Sequence, residues 1–374
     1  MIEAMWFAML LGFAASFAAV LTMVVFTPTI QRFTLSRNDL QAVQASHVGH
    51  PLRFGGLAVF FGICLGTYAL NVPSDGTFTR AVLVSCLPVL VAGGLEDAGV
   101  AVSARIRLFA AFFASGIAIY LLGFWVARAD LLVIDLVLAL VPLAIVVNIT
   151  VAAGFCHALN LVDGMNGLAA VNIIIIGTAI ASIASDSGLD QIMMLAMLAS
   201  VSTLAFLLFN WPFGKVFLGD AGSYALGHLL VWLSISLVAL DTDIAVAALL
   251  LVLFWPIMDM LHAIARRLAR RVPLFKPDRL HFHQIIRRGL EVVWLGRDQR
   301  IVSNPLATLL MVPVMLVPVL LGVILKNEPV LSWVVFFFCA VAYSLLHYAV
   351  VALCRLRRKR HAFGKGFDRI VDAQ

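Results

Sequence analysis

The sequence contains few charged residues. Asp, Glu, Lys and Arg make up only 12% of its 374 residues, whereas 63% are hydrophobic and the mean hydropathy is +1.04. One soluble core cannot enclose so many apolar side chains. The shortage of charge therefore excludes a soluble globular protein and indicates an integral membrane protein that crosses the bilayer many times.

Cysteines and N-terminal basic residues are also scarce. None of the five cysteines belongs to a C-x-x-C pair, which argues against a disulfide framework and against a zinc site. The first apolar segment follows Glu3 and no Lys or Arg, so it lacks the basic region of a cleaved signal peptide. We therefore expect this segment to be a permanent span.

The apolar segments lack the two-residue alternation of barrel strands, and many approach the roughly 20 residues that a helix needs to span a bilayer. Their limits are 4–27, 56–72, 80–95, 107–125, 131–150, 168–185, 190–209, 222–240, 244–264, 305–325 and 331–353. The sequence predicts an all-α polytopic integral membrane protein with about eleven transmembrane helices. One transmembrane domain would cover residues 1–353, with a large loop at 265–304 and a basic tail at 354–374.

The positive charges lie mainly on one side of these segments. With the N-terminus outside, 23 of the 26 Lys and Arg residues fall in the inner loops and the C-terminal tail. This bias predicts a cytoplasmic C-terminus, and contacts with lipid headgroups account for the cations without any nucleic acid. All long loops are inner, so we expect the protein to act on a cytosolic substrate at the cytoplasmic face of its membrane.

The inner loops carry acidic residues in glycine-rich turns. Asp163 lies in the stretch from Asn160 to Leu168, which contains no Lys or Arg. An unpaired carboxylate at a membrane boundary favours a ligand or metal role over a simple Asp-Gly turn. Asp220 lies between two glycines, as a hard oxygen ligand on a flexible turn would.

The adjacent carboxylates Glu96 and Asp97 repel each other unless a cation or a shared proton intervenes. This pair suits Mg²⁺ binding or a base with a raised pKa. An ion pair with Arg105 or Arg107 explains it equally well.

Basic residues and histidines occupy the remaining inner loops. His50 and Arg53 precede a glycine pair that would let backbone amides approach a phosphate, although a simple helix start explains them too. Arg279, His281 and His283 form an anion site more readily than a zinc site, because nearby cations oppose a divalent metal. A basic loop on anionic lipid is the alternative. Carboxylates and cations together suit a magnesium-dependent reaction on a diphosphate.

In their order along the chain, these motifs resemble the polyprenyl-phosphate N-acetylhexosamine-1-phosphate transferases, in particular the WecA-type branch, which is related to the MraY type. The resemblance runs from about His47 to about Gln284. It implies transfer of a sugar 1-phosphate, from an N-acetylhexosamine or a deoxy derivative, from a UDP-sugar to undecaprenyl phosphate with release of UMP. Such a reaction initiates surface-polysaccharide or O-antigen assembly. Whether two copies form a homodimer is left open by the sequence.

The resemblance and the loop chemistry together assign roles to individual residues. Catalysis would fall to Asp97, Glu96, Asp163, His281 and His283. Substrate binding would fall to His50, Arg53, Asn160, Asn166, Arg105, Arg107 and Arg279. Asp220 and Asp97 would hold Mg²⁺, with Mn²⁺ as the alternative cofactor.

Three positions depart from the family pattern. Glu96 and Asn166 each replace an aspartate, and Gln284 replaces a histidine. Because Asn166 would stand where a charge is usual, we expect Asn166→Asp to be tolerated. The departures also leave room for a member that binds nucleotide sugar without turnover, and a secondary transporter is a further alternative.

Overall fold

The computed structural model describes residues 2–33, 52–70, 76–271, 273, 280–296 and 299–371. Within these ranges the regular secondary structure is helical, and the helices are joined by turns and loops that include an isolated bridge between Leu52 and Val216. The first eight helices are α1 (Ile2–Val25), α2 (Thr27–Phe33), α3 (Gly55–Ala69), α4 (Thr77–Ser85), α5 (Leu87–Asp97), α6 (Ala104–Leu122), α7 (Leu132–Leu138) and α8 (Val141–Val162). The others are α9 (Leu168–Asp186), α10 (Asp190–Asn210), α11 (Gly219–Leu240), α12 (Val246–Val252), α13 (Phe254–Ala269), α14 (Phe282–Leu290), α15 (Arg300–Ile324) and α16 (Pro329–Val371), with a π-helix at Glu291–Leu295.

This architecture confirms an all-α polytopic membrane protein. In the part of the chain that the structure describes, nine helical segments are long and apolar enough to cross a membrane, or ten if α12 and α13 form one span. The helix α3 is also apolar but has only 15 residues. At 1.5 Å per residue it is shorter than a hydrocarbon core of about 30 Å. The predicted total of about eleven therefore stays a prediction.

Two of the expected spans are interrupted next to a proline. The break between α4 and α5 falls at Cys86, with Pro88 in the first turn of α5. Likewise, α12 and α13 meet at Leu253 with an 83° bend, and Pro256 lies in the first turn of α13. Proline is tolerated in the first turn of a helix but not in its interior. The span predicted at 244–264 is therefore divided at Leu253 into two helices, and their passage through the membrane as one span stays a prediction.

The fifth predicted span is displaced along the chain. The sequence placed it at 131–150, whereas the structure has the short helix α7 followed by α8, which begins with a proline near its N-terminus and continues to Val162. Residues 151–162 are apolar enough to extend the helix, so they are not loop. As a result, Asn160 lies in the last turn of α8, and Asp163 is its C-terminal cap residue.

The most central helix is α11, which is buried along nearly its whole length. It packs against α3, α5 and α8. At its N-terminus, Gly56 of α3 and Gly222 of α11 approach so closely that a Cβ on Gly56 would lie 2.0 Å from the Cα of Gly222. These contacts bring the ends of three helices to the first turn of α11.

Candidate functional site

The first turn of α11 is held by two carboxylates from other helices. The two carboxylate oxygens of Asp97 accept the backbone N–H groups of Asp220 at 2.9 Å and Ala221 at 2.8 Å. One oxygen of Asp163 accepts the backbone N–H of Gly219 at 2.9 Å. A helix N-terminus presents free N–H groups and favours negative charge, which explains why carboxylates converge here.

Only glycine fits at the start of this helix. Gly219 has a φ of +74°, and a Cβ there would lie 1.8 Å from the carbonyl oxygen of Arg53 and 2.5 Å from the carboxylate of Asp97. Gly219 therefore lets the carbonyl of Arg53 and the carboxylate of Asp97 lie close to the start of α11.

Asp220 itself is bound by cations and an amide. It is only 4% exposed. The Nδ2 of Asn160 donates to its Oδ1 at 3.1 Å, and a guanidinium nitrogen of Arg53 lies 3.4 Å from the same oxygen. Arg107 forms an ion pair with its Oδ2. We call Asp97, Asp163, Asp220, Arg53, Arg107 and Asn160 the α11 cluster.

The electrostatics of the α11 cluster are nearly balanced, with three carboxylates facing two guanidinium groups. Arg53 also lies 3.9 Å from Asp97, and its side chain remains 40% exposed. Burial raises the pKa of Asp163 to about 6, although Arg53 and the N–H of Gly219 oppose this rise. The loop that carries Asp163 contains no Lys or Arg, but Arg53, which is distant in the sequence, supplies a positive charge near it.

The oxygen ligands of the cluster match the chemistry of Mg²⁺, which prefers carboxylates. In the described ranges, however, no three Asp, Glu, His or Cys side chains already converge as a ligand set. Asp220 is instead held by arginines. The carboxylates of the α11 cluster therefore fit a magnesium ion only if an arginine releases the carboxylate of Asp220.

The sequence interpretation missed two aromatic neighbours of the cluster. The hydroxyl of Tyr224 lies 3.2 Å from the Nδ1 of His157, and the guanidinium of Arg107 lies 5.9 Å from the centre of the Tyr224 ring. Tyr224 follows Asp220 by four residues, and His157 precedes Asn160 by three. This helical spacing was the signal that could have identified both.

The structure separates two pairs of residues that the sequence treated together. Glu96 accepts the backbone N–H of Val102 at 2.7 Å, in the turn before α6, whereas Asp97 holds the start of α11. Arg105 is exposed, whereas Arg107 reaches Asp220. The ion pair suggested between the acidic pair and these arginines is thus replaced by one with Asp220. The catalytic role of Glu96 and the binding role of Arg105 stay predictions.

Asn166 has protein partners on both ends of its amide. Its Nδ2 donates to the carbonyl of Pro212 at 2.6 Å, and its Oδ1 accepts from Asn304 at 3.3 Å. Its backbone N–H donates to the Oδ1 of Asn304, and its carbonyl accepts from Thr308. The residue is 7% exposed. These contacts tie the loop before α9 to α15, and the substrate-binding role of Asn166 stays a prediction.

The glycine pair of the first loop also serves packing. The N–H groups of Gly55 and Gly56 donate to the carbonyls of Phe217 and Leu218, each at 2.9 Å. The expected approach of these amides to a ligand is therefore wrong. Two predicted binding residues, His50 and Arg279, lie outside the described residues.

His281 and His283 belong to a second polar group, at the start of α14. His281 Nδ1 lies 2.7 Å from Asp259 Oδ2, and His283 Nδ1 lies 3.8 Å from the same oxygen. The hydroxyl of Tyr343 donates to Asp259 Oδ1 at 3.1 Å. We call these four residues the histidine cluster. Among the described residues, its ion pairs are internal and do not reach the α11 cluster.

Fold and site together define a polytopic α-helical membrane protein with opposed carboxylates and arginines at the start of a buried helix. A model of glycosyl transferase family 4 matches residues 79–238, which include all three carboxylates of the α11 cluster. These findings, with the relatives below, confirm the resemblance seen in the loop motifs. Over residues 79–238 the chain is similar to glycosyl transferase family 4, and the relatives below are named as undecaprenyl-phosphate sugar-1-phosphate transferases.

Similar proteins come from several bacteria. The chain is 29% identical over 275 residues to a probable undecaprenyl-phosphate N-acetylglucosaminyl 1-phosphate transferase of Bacillus subtilis (strain 168), covering 72% of this chain and 75% of the relative. It is 26% identical over 262 residues to an undecaprenyl-phosphate alpha-N-acetylglucosaminyl 1-phosphate transferase of Escherichia coli (strain K12), covering 65% and 67%. A phospho-N-acetylmuramoyl-pentapeptide-transferase of Streptococcus equi subsp. zooepidemicus is 43% identical over 84 residues, or 22% and 25% of the chains.

Proposed function

We propose that this protein transfers a sugar 1-phosphate from a UDP-sugar to undecaprenyl phosphate and releases UMP. The observation that carries this proposal is the convergence of Asp97, Asp163 and Asp220 with two arginines at the N-terminus of α11. Opposed carboxylates and guanidinium groups suit a diphosphate substrate and its metal ion. Two of the relatives above are named for transfer of N-acetylglucosaminyl 1-phosphate, so an N-acetylhexosamine is the donor sugar we favour.

The arginines would bind the phosphates. Helix N-termini often bind phosphate through backbone N–H groups, but those of Gly219, Asp220 and Ala221 are already taken by carboxylates. The anion-binding capacity of the site therefore lies in Arg53 and Arg107. Both hold Asp220 in this structure and would exchange it for phosphate oxygens when the UDP-sugar binds.

That exchange would free the oxygens of Asp220 for Mg²⁺. Asp220, with Asp97, would hold the ion, and Mn²⁺ is the alternative. The bound ion would add positive charge opposite the diphosphate. By fixing the first turn of α11 through the N–H groups of Asp220 and Ala221, Asp97 would also hold Asp220 in place.

The reaction would need little base catalysis. A phosphate monoester has its second pKa near 6, so undecaprenyl phosphate is largely a dianion at neutral pH. One of its oxygens would attack the β-phosphorus of the UDP-sugar, and the bond from that phosphorus to the bridging oxygen would break. UMP would leave with that oxygen. Positioning and charge neutralisation by Arg53, Arg107 and Asn160 would supply the catalysis.

We place this reaction at the cytoplasmic face of a bacterial inner membrane. The support is the charge bias, with 23 of 26 Lys and Arg residues on the side that carries the inner loops. A transporter is not favoured, because the α11 cluster lies at helix ends and not near mid-membrane, and because the named relatives are transferases.

The direct test uses protein purified in detergent with undecaprenyl phosphate, Mg²⁺ and a panel of UDP-sugars, and measures UMP. We expect UMP from at least one UDP-N-acetylhexosamine and none after addition of EDTA. Asp220→Ala should reduce the rate about 1,000-fold or more. Its control is Asp243→Ala, an exposed aspartate beyond the far end of α11, which should keep the rate within about twofold. If no UDP-sugar gives UMP, with or without EDTA, the proposal is wrong.

A further inference from the structure

Asp259 is a buried carboxylate that accepts hydrogen bonds at both of its oxygens. It lies on α13, is 1% exposed, and accepts hydrogen bonds from two other helices and from the residue before α14. The backbone N–H of Phe282 and the hydroxyl of Tyr343 donate to its Oδ1, at 2.9 and 3.1 Å. His281 Nδ1 lies 2.7 Å from its Oδ2. A buried carboxylate with three donors holds the groups around it in one arrangement.

The bond to Asp259 determines which atom of His281 is left for other partners. An ionised carboxylate can only accept a hydrogen bond. His281 Nδ1 therefore carries the hydrogen that it donates to Asp259, whether the imidazole is neutral or protonated. The free position is therefore Nε2. His281 is 1% exposed, and its Nε2 has no hydrogen-bond partner among the described residues. A buried polar atom without a protein partner is costly unless something else bonds to it.

The same ring is fixed in direction as well as in tautomer. It stacks on His283, with ring centres 5.7 Å apart and planes at 17°. The backbone N–H of the next residue, Phe282, is held by the same carboxylate. The helix that carries Asp259, α13, packs against α8, which carries Asn160 of the α11 cluster. The histidine cluster therefore lies one helix away from the proposed phosphate site.

We propose that Asp259 is a positioning residue that acts through His281, holding its ring so that Nε2 accepts a hydrogen bond from a hydroxyl group of the bound UDP-sugar. This inference rests on the proposed function. Asp259 itself touches no substrate, and its carboxylate sets the tautomer of His281. Tyr343 supports it by donating to the oxygen that does not contact the imidazole.

The substitution that tests this is Asp259→Asn. Its side-chain oxygen can still accept the N–H of Phe282, whereas its NH₂ group would face His281 Nδ1 and force the imidazole hydrogen onto Nε2. The fold contacts would largely persist but the tautomer would reverse. We expect kcat for UMP release to fall at least about tenfold, with KM for the UDP-sugar within about threefold.

The decisive measurement is a double-substitution cycle with His281→Gln. If Asp259 acts through His281, Asp259→Asn should change kcat less than about twofold once His281 is replaced. In an Asp243→Asn background, which alters an exposed residue at the far end of α11, the full loss should remain. A purely structural Asp259 would give the same loss in every background, and that result would overturn the inference. So would a wild-type rate for His281→Gln.

A separate measurement identifies variants that fail to fold. A cooperative melting transition in detergent shows whether each variant is folded. If Asp259→Asn does not accumulate as folded protein, Tyr343→Phe replaces it, and its smaller loss of kcat must likewise vanish in the His281→Gln background. Wild-type protein is assayed in parallel. Absence of UMP from wild type would refute the proposed function, whereas an active wild type with additive losses would refute the role of Asp259 alone.

Discussion

The α11 cluster and the histidine cluster both join distant helices through buried carboxylates, but they satisfy their charges differently. Asp220 relies on the side chains of Arg53 and Arg107, which remain 40% and 18% exposed. In the histidine cluster, by contrast, Asp259 and His281 are each about 1% exposed, and a backbone N–H and a tyrosine complete the bonding. The first arrangement can exchange partners with a charged ligand, and the second fixes a geometry.

This difference follows from the elements that supply the groups. Long arginine side chains at helix ends can change rotamer at modest cost, and their ion pairs are partly screened by solvent. A carboxylate bonded to the backbone of the next helix cannot move unless that helix moves. We therefore expect substitutions in the α11 cluster to affect substrate binding and turnover. Substitutions in the histidine cluster should instead affect the orientation of the His281 ring.

After Asp220→Ala, the largest expected effect concerns Asp97. In Asp97→Asn, the NH₂ group would face a backbone N–H of Asp220 or Ala221, so the first turn of α11 would lose a partner. We expect UMP release to fall about 100-fold or more. Glu96→Gln is the matched comparison, since Gln can still accept the N–H of Val102, and it should cost at most about threefold. Equal losses would show that the adjacent acids act as one unit.

A smaller effect is expected from the arginines. Arg107→Ala should lower kcat/KM for the UDP-sugar about 10- to 100-fold, because it removes a cation proposed to pass from Asp220 to phosphate. Arg105→Ala, two residues earlier on the exposed side of the same helix, should change kcat/KM by at most about twofold. The measurement is initial rates of UMP release over a range of UDP-sugar. If both variants behave alike, Arg107 is not the exchangeable partner.

The sequence predicted the fold class and the similarity to this family because both leave local signals. Apolar segments of span length identify the helices, and Asp97, Asp163 and Asp220 lie beside or near glycines at the helix ends. The bend at Leu253 could have been expected from Pro256, since proline in a long apolar run ends or kinks a helix.

Partners far apart in the chain left no such signal. Arg107 and Asp220 are 113 residues apart, and no pattern in either loop indicates that they pair. Asn166 and Asn304 are 138 residues apart. The same holds for Asp259, whose buried partners are supplied by α14 and α16 and by the residue before α14. Tertiary packing, which a single sequence does not reveal, decides which polar residues face a ligand and which hold the fold.

The substitution Asn166→Asp tests whether Asn166 faces a ligand or holds the fold, and we expect it to lower stability moderately. Asn166→Asp restores the family pattern, but it would place a carboxylate oxygen against the carbonyl of Pro212 and remove the donor. We now expect this substitution to cost about 1–3 kcal/mol and to lower the melting temperature by several degrees. Asn327→Asp, on an exposed amide, should leave the melting temperature nearly unchanged. A stable and fully active Asn166→Asp protein would return Asn166 to the ligand-facing side of the comparison.

The smallest expected effect is a pH dependence of stability in the histidine cluster. Burial, aided by His281 and Arg287 and opposed by Asp259, lowers the pKa of His283 to about 4. The unfolded chain binds this proton near pH 6.5, so stability contributed by neutral His283 is lost as the pH falls from about 6.5 to about 4.

The melting temperature in detergent should therefore fall between pH 7 and pH 5, and it should fall less in His283→Asn, which cannot take up that proton. Asp163 does not mimic this loss, because a raised carboxyl pKa adds stability as the pH falls. Equal losses in both proteins would mean that His283 has the same pKa in the folded and the unfolded chain. The histidine cluster could then take up a proton as the pH falls, and the contrast with the exchange proposed for the α11 cluster would weaken.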